Sequence, residues 1–124
     1  MLIDHYFYEE NWVEAINAIQ LSMKEWGNDG TLNTLLAEML LSDGKINEAI
    51  QASKRAIQLE PENEAMYWAA LNVYNTSNEF ESITKILTLL KDQFSYEFDA
   101  DEFRKEPEYL NFTKSDAFKA WFAE

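Results

Sequence analysis

The chain has 124 residues, of which 47% are hydrophobic and 15% aromatic, so it is large and apolar enough for one folded core and is not expected to be disordered. It contains no cysteine, which excludes a disulfide scaffold, a thiol nucleophile and zinc–thiolate sites. The net charge of −13 is spread along the chain and disfavours binding to nucleic acid or to anionic membranes.

The first segment, MLIDHYFYEENW, is acidic and soon becomes polar, so no signal peptide is expected. No apolar run approaches the roughly 20 residues that a membrane-spanning helix needs. The cytoplasm is therefore the expected location, with no membrane and no nucleic acid as a partner. The acidic charge has two interpretations, a surface that keeps the protein soluble or a surface that attracts a basic partner.

Residues 30–63 predict two helices joined by a short turn. Apolar residues recur at steps of three and four in both halves, as on the buried face of an amphipathic helix. Gly44 ends the first helix because glycine readily adopts positive φ, and Pro61 ends the second because it disfavours the helical region in the residue before it. We expect the small Ala49 and Ala56 where the two helices cross. The buried stripe is expected to comprise Leu32, Leu35, Leu36, Met39 and Leu40, then Ile46, Ala49, Ile50, Ser53, Ala56 and Ile57.

The same two-helix pattern recurs in both directions along the chain, with a period of about 34 residues. Turn positions stay turn-like, and most positions of the buried stripe stay apolar. Three units are expected, at about 1–29, 30–63 and 64–92, within a single domain that spans 1–124. The matched positions include Glu48 with Glu14, Ala49 with Ala15 and Ile83, Gly44 with Asn78, and Ala56 with Leu90.

Residues 93–124 depart from the pattern and carry half of the aromatic residues of the chain. Pro107 falls where a further first helix would run, so that helix is expected to be short or broken. The segment from Thr113 to Asp116 predicts a capping box before a short helix at 117–122. Because a stack of repeats must cover the apolar face of its last unit, one interpretation of this tail is an aromatic cap. The other is a ligand pocket formed by the same aromatic residues.

Several positions keep their character from unit to unit. They are Leu36, Ala37, Leu40, Gly44, Ala49, Ala56 and Pro61 in the middle unit, Tyr67, Leu71, Tyr74, Ile83 and Leu90 in the third, and Leu2, Tyr6 and Ala15 in the first. In its period and in these positions, the pattern resembles the tetratricopeptide repeat (TPR) family, and the tail is similar to the endings of some small bacterial members. The resemblance implies an all-α fold of about three helix-turn-helix repeats, stacked in a right-handed α-solenoid with a C-terminal cap at about 93–124.

The outer side of each first helix carries a second set of positions, at steps of four and three. The TPR family lines a concave groove with this side, so the resemblance implies that these positions bind a peptide segment of a partner protein. Large apolar residues beside acids and amides would suit a peptide with apolar and basic or amide groups. The alternative is that these positions are simply solvated. The peptide-binding candidates are Asp4, Phe7, Thr34, Glu38, Leu41, Trp68, Asn72 and Asn75.

No motif for catalysis, for a cofactor or for a metal ion is recognisable. The chain lacks a Gly-rich phosphate loop, a GxSxG motif and an HExxH motif, and its one histidine, His5, lies near a terminus. Asp99, Asp101 and Glu102 are not followed by the glycine and glutamate of a calcium loop, so we expect them to be favourable charges at the start of a helix. An enzyme, a cofactor and a metal ion are therefore not expected.

Two classes of function remain. The first is a non-enzymatic adaptor or scaffold that binds another protein or peptide in the groove. A partner ending in a free carboxylate is not expected there, because the Lys, Arg and Asn clamp of the TPR family is represented only by Asn72. The second is a self-assembling structural subunit, a homodimer formed through the truncated N-terminal edge. The short first helix leaves four apolar or aromatic residues near that open edge, namely Leu2, Ile3, Tyr6 and Phe7.

Overall fold

A computed structural model describes residues 12–122. Every regular element in this range is helical, and short connections separate successive helices, so the prediction of an all-α fold of helix–turn–helix repeats is confirmed. The helices are α1 (Trp12–Trp26), α2 (Gly30–Ser42), α3 (Ile46–Leu59), α4 (Glu64–Thr76), α5 (Phe80–Phe94), α6 (Ala100–Lys105), α7 (Leu110–Thr113) and α8 (Asp116–Trp121), with a 3₁₀ turn at Pro107–Tyr109.

The chain divides into two compact units, and the division falls inside α4, between Val73 and Tyr74. The described part of the first unit contains α1, α2, α3 and most of α4, and that of the second contains the end of α4 and all later helices. The single domain over 1–124, with its repeat boundaries, stays a prediction. Within residues 12–122, no helix has both the length and the apolar character needed to cross a membrane.

In the first unit, α2 packs against both α1 and α3. One apolar cluster joins these three helices, and Val73 of α4 belongs to it as well. Ala49 has no exposed surface, as expected of a small residue at a helix crossing. The other buried members are Ala15, Ile16 and Ile19 of α1, Leu36, Ala37, Met39 and Leu40 of α2, and Ala52 of α3.

The contact face of α3 is a run of small side chains. The prediction is confirmed at Ala49, Ser53 and Ala56, and Ala52 is buried beside them. Small side chains let a neighbouring helix approach closely, so this face suits tight packing against α2. Ile46 is a correction, because it was expected in the stripe but is 43% exposed. It is the first residue of α3, so no preceding turn of that helix covers it.

The turns after α2 and α4 share the same backbone conformation and lie 34 residues apart. Gly44 has a φ of 80°, and Asn78, at the matched position, has a φ of 59°. Asparagine is one of the few residues with a side chain that adopts this left-handed conformation routinely. The same hydrogen bond closes both turns, from Lys45 N–H to Leu40 O at 2.8 Å and from Glu79 N–H to Tyr74 O at 2.9 Å.

A polar joint ties the start of α2 to the end of α3. Gly30 N–H donates to Glu60 Oε2 at 2.6 Å, and Leu32 N–H donates to Asp29 Oδ1 at 2.7 Å. Both carboxylates therefore satisfy N–H groups that a helix leaves unpaired at the positive end of its dipole. A Cβ atom at residue 30 would overlap the Glu60 carboxylate and the Met66 sulfur, so only glycine fits here without a shift of these side chains.

Asn33 is fully buried, and its side-chain amide is hydrogen-bonded at both ends. Its Nδ2 donates to Asn28 Oδ1 and, at 2.8 Å, to Asp29 O, while its Oδ1 accepts from Arg55 Nε at 3.2 Å. The amide thus connects the loop before α2 with α3. The periodic pattern does not predict this role, because the position one period later holds Tyr67.

In the second unit, the tail forms short helices, of which α8 packs against α5. The predicted break is confirmed, since α6 ends at Lys105 and Pro107 opens the 3₁₀ turn. The predicted capping box is wrong in its register. Thr113 ends α7, and the extended Ser115 is the residue that caps α8, accepting from Phe118 N–H through Oγ at 3.2 Å.

Aromatic rings form the interior of the tail. Phe112 and Phe118 have no exposed surface, and Phe103 is 8% exposed. The three rings lie edge to face, the arrangement that aromatic pairs prefer, with Phe112 and Phe118 centroids 5.2 Å apart at 83°. These residues are therefore core residues of the second unit.

Three polar contacts within the second unit join the tail to positions about one repeat earlier. The two partners are separated by 33 residues in every case, which is close to the repeat period. The contacts run from Asn75 Nδ2 to Glu108 O at 2.9 Å, from Asn111 Nδ2 to Asn78 Oδ1 at 3.4 Å, and from Trp121 Nε1 to Thr88 Oγ1 at 2.9 Å.

The buried alanine at the α2–α3 contact gives a first prediction. Ala49→Leu should lower the free energy of unfolding by about 1–3 kcal/mol, because the closely packed face has no room for the added carbons. Urea denaturation followed by circular dichroism measures the change. Gln51→Leu places the same side chain on the exposed face of α3 and should change stability little. Equal stability of Ala49→Leu and wild type would contradict the packing described here.

The aromatic interior gives a second prediction. Phe118→Ala should cost about 3–5 kcal/mol, because it leaves a cavity among rings that are closed to solvent. Leu110→Ala is the matched control, since Leu110 is 56% exposed on α7. If the two variants melted at the same temperature, the tail would not have the packed core seen here.

Candidate functional site

The predicted groove positions on α2 are Thr34, Glu38 and Leu41, and they differ in what they present. Thr34 is half-buried, and its hydroxyl donates to Thr31 O at 2.8 Å within the same helix. Leu41 was expected to be exposed, but it is half-buried and packs against the core of the first unit. Glu38 is exposed. The carboxylate of Glu38 is therefore the group on this side of α2 that is best placed to meet a partner.

The predicted positions on α4 fall on both sides of the division between the units. Trp68 is 36% exposed and Asn72 is exposed, and both belong to the first unit. Asn75 belongs to the second unit, is half-buried and donates its amide to Glu108 O. That hydrogen bond gives Asn75 a role within the chain. Asp4 and Phe7, the candidates from the first repeat, lie outside the described residues.

Burial shapes the acidity of Glu38. Although the residue keeps exposed surface, partial desolvation by its surroundings raises the pKa of its carboxyl above the ordinary value of 4.5. A carboxylate that has lost part of its water gains more from a cationic partner than a fully solvated one does. Glu38 is therefore the acid on this surface that is most suited to meet a basic group.

The first unit also has a cavity that the sequence pattern does not predict. Its volume is about 490 Å³, with Leu36 and Leu40 in its lining and the amides of Gln20, Asn47 and Gln51 around them. These residues come from three different helices, so no single periodic stripe reveals them. The lining offers apolar contact and amide hydrogen bonds, which are the groups that a polypeptide segment can use.

The second unit has a cavity of about 640 Å³ beside the aromatic interior. Its lining combines the rings of Phe98, Trp121 and Phe122 with charged residues at the end of α5 and in the loop that follows. The rings of Phe103, Phe112 and Phe118 are buried in the core instead. The aromatic tail thus provides both a core and, at its edge, the lining of a cavity.

Among residues 12–122, no three His, Cys, Asp or Glu side chains converge in a way that could hold a metal ion. His5 lies outside the described residues. The acids at the start of α6 act as the sequence predicts, since Asp99 caps the helix by accepting from Asp101 N–H at 3.0 Å. Asp101 in turn pairs with Arg104 at 2.8 Å. The interactions seen for Asp99 and Asp101 are therefore structural.

A comparison with protein-family models finds a match over most of the chain. Residues 1–96 match the model of the ChAPs, described as Chs5p-Arf1p-binding proteins. The chain belongs to the ChAPs family. The match covers all three predicted repeats and stops before α6, so the core of the aromatic tail lies outside the ChAPs region. It supports a helical-repeat family, but it neither names the TPR nor supports a bacterial type. No curated protein sequence matches the chain.

The raised pKa of Glu38 gives a third prediction. Because the folded-state pKa is raised, the ionised carboxylate costs stability at neutral pH. The cost shrinks as the pH falls through the folded-state pKa and is gone below the pKa of the unfolded chain. Glu38→Gln should therefore stabilise the protein at pH 7 and lose this advantage in acid. The gain should be at most about 0.5 kcal/mol, because solvent screens a partly exposed group.

Urea titrations at neutral and acidic pH measure this difference. Glu62→Gln removes the same charge from the exposed turn between α3 and α4 and serves as the control. A gain that is equal at both pH values, or equal to that of the control, would show that desolvation of Glu38 is not its cause.

Proposed function

We propose that the protein is a non-enzymatic adaptor of TPR type, located in the cytoplasm. It binds a polypeptide segment of a partner protein along the outer side of the first helix of each repeat. The observation that supports this most directly is membership of a family whose description is Chs5p-Arf1p-binding proteins. Helical repeats suit such a role, because each repeat presents the same helix face and neighbouring faces add up to an extended binding surface.

The surface proposed for binding consists of Glu38 on α2 with Trp68 and Asn72 on α4. A tryptophan supplies a large, rigid apolar area and is among the residues that dominate binding energies. The Asn72 amide can donate to and accept from a peptide backbone. Glu38 adds a partly desolvated carboxylate, and the net charge of −13 would steer a basic partner toward it. A basic segment with at least one large apolar residue is the ligand that this surface suits best.

A fourth prediction tests this surface. Trp68→Ala combined with Asn72→Ala should weaken binding by about 2 kcal/mol, roughly thirtyfold, because it removes an anchor residue and a hydrogen-bonding amide together. Purified Chs5p and Arf1p are the first ligands to measure, followed by proteins captured from a lysate and identified by mass spectrometry. Thermal melting checks that the double variant still folds.

Trp26→Ala is the matched control, because Trp26 is an 83% exposed tryptophan at the end of α1 and is not one of the residues of the proposed surface. The proposal predicts that this variant binds like wild type and that binding weakens with salt. A double variant that captures the partner as well as wild type does would exclude this surface. Binding that ignores salt would exclude only the electrostatic contribution.

The alternative, a homodimer through the first helix, rests on residues 1–11, which lie outside the described residues. Light scattering on the wild-type protein distinguishes the two functions. A monomer that binds a partner through the Trp68 surface agrees with the adaptor. A stable dimer whose partner binding is unaffected by the double variant would favour the self-assembling subunit.

A further inference from the structure

The cavity of the second unit has the lining expected of a site for an organic cation. Its volume of about 640 Å³ falls in the range of ligand sites, and three aromatic residues and three charged residues contribute to it. Phe98, Trp121 and Phe122 are each half-buried, so part of each ring remains accessible to solvent. We call this site the aromatic cavity; its charged residues are Lys91, Asp92 and Glu97.

The three rings stand at steep angles to one another. The centroids of Phe98 and Trp121 are 6.0 Å apart at 61°, and those of Trp121 and Phe122 are 4.8 Å apart at 83°. Rings in this arrangement present faces and edges from several directions. The negative face of an aromatic ring attracts a cation within about 6 Å of its centroid, and tryptophan does so best.

The indole of Trp121 is held in place through its own N–H. Nε1 donates to Thr88 Oγ1 at 2.9 Å, and the Thr88 hydroxyl donates to Thr84 O at 2.9 Å. The Thr88 hydroxyl therefore accepts one hydrogen bond and donates another. This chain of hydrogen bonds fixes the orientation of the Trp121 ring in the absence of a ligand. Because the indole N–H is already used, a ligand in the cavity meets the π surface of Trp121. A π surface favours a cationic group as the ligand.

The charge of the lining favours the same class of ligand. Asp92 and Glu97 supply two carboxylates against the one ammonium group of Lys91. The net charge of −13 adds a long-range attraction for cations. An anion would be repelled by both carboxylates, and a purely apolar ligand would gain nothing from the charged groups at the rim.

Elsewhere in the second unit, one arginine of the chain already lies between an aromatic ring and a carboxylate. The guanidinium carbon of Arg104 lies 5.4 Å from the centroid of the Phe118 ring, and its Nη1 is 2.8 Å from Asp101 Oδ1. A ring and a carboxylate together therefore hold a guanidinium group elsewhere in the same unit. The aromatic cavity offers the same two partners without an arginine of the chain in its lining.

We propose that the aromatic cavity binds an arginine side chain of a partner polypeptide, with the guanidinium against Trp121 and its neighbours and paired with Asp92 and Glu97. Arginine fits better than lysine because its planar guanidinium stacks on aromatic faces and is more weakly hydrated than an ammonium group. This site shares no residue with the Trp68 surface and does not depend on the adaptor proposal.

The test uses the full chain and a short glycine–serine peptide with one central arginine. The control peptide carries citrulline, which has nearly the same shape and no charge. Nuclear magnetic resonance follows the indole N–H signal of Trp121, assigned by its absence from Trp121→Phe. We expect the arginine peptide to shift this signal in a saturable way and the citrulline peptide to leave it unchanged.

Variants of the lining residues then distinguish the contribution of charge to peptide binding from the contribution of the aromatic ring. Trp121→Leu should weaken binding of the arginine peptide about tenfold. Because that variant also loses the bond to Thr88, the exposed pair Asp92→Asn with Glu97→Gln provides a second measure, with an expected loss of about fivefold. Lys91→Gln should strengthen binding about twofold, since it removes the one repulsive charge.

Three results would overturn the proposal. One is an arginine peptide that leaves the Trp121 signal in place or shifts it no more than the citrulline peptide does. Another is unchanged affinity in the Asp92 and Glu97 double variant. The third is loss of peptide binding in Trp68→Ala, which would assign the arginine to the first-unit surface. Failure of the adaptor proposal would leave all three measurements unaffected.

Discussion

The close packing of α2 and α3 is the contact on which the repeat depends. The α3 face consists of Ala49, Ala52, Ser53 and Ala56, while α2 contributes larger residues such as Leu36 and Met39. Pairing small with large side chains fills the space between two helices at native density. The turn at Gly44 is compatible with this contact because its left-handed residue reverses the chain within three positions. The polar joint from Glu60 to Gly30 can form only once both helices are in place.

The acidic charge of the chain serves more than one purpose. Asp29, Glu60 and Asp99 accept hydrogen bonds from N–H groups at the starts of helices, where a negative charge is stabilising. Such acids are part of the fold and need no partner. Glu38 differs from these acids, because it is exposed and yet partly desolvated. Asp92 and Glu97 differ as well, because they line the aromatic cavity. A count of charges cannot make this distinction, whereas the geometry can.

Much of the fold follows from periodicity in the sequence. The helices, the turns at Gly44 and Asn78 and the burial of Ala49 are local or recur with the repeat period, so they could be predicted. Side-chain partners from other helices could not. Asn33 and Glu60 occupy positions that a helical pattern treats as ordinary polar residues, yet their partners Arg55 and Gly30 lie 22 and 30 residues away.

In the candidate site, too, features set by periodic spacing could be predicted from the sequence, whereas features set by contacts between helices could not. On the outer side of α2, Glu38 is exposed, but Leu41 packs against the core, because spacing predicts the direction of a side chain and not its nearest neighbour. The capping residue of α8 was missed since Thr113 continues a helical turn that begins at Leu110. The aromatic richness of the tail was visible, whereas only the structure separates its core rings from those that line a cavity.

The spacing of the tertiary hydrogen bonds has a consequence for folding. Those from Arg55 to Asn33, from Gly30 to Glu60 and from Trp121 to Thr88 span 22, 30 and 33 residues. Each closes a loop no longer than one repeat. The entropic cost of closing a loop changes slowly with its length, so the three costs are similar, and none of the three bonds has to bring distant ends of the chain together. Low contact order of this kind is associated with rapid folding. During synthesis, the two helices of a pair could pack together soon after the second helix leaves the ribosome. The hydrogen-bonding partners therefore become available in the order in which the chain is translated.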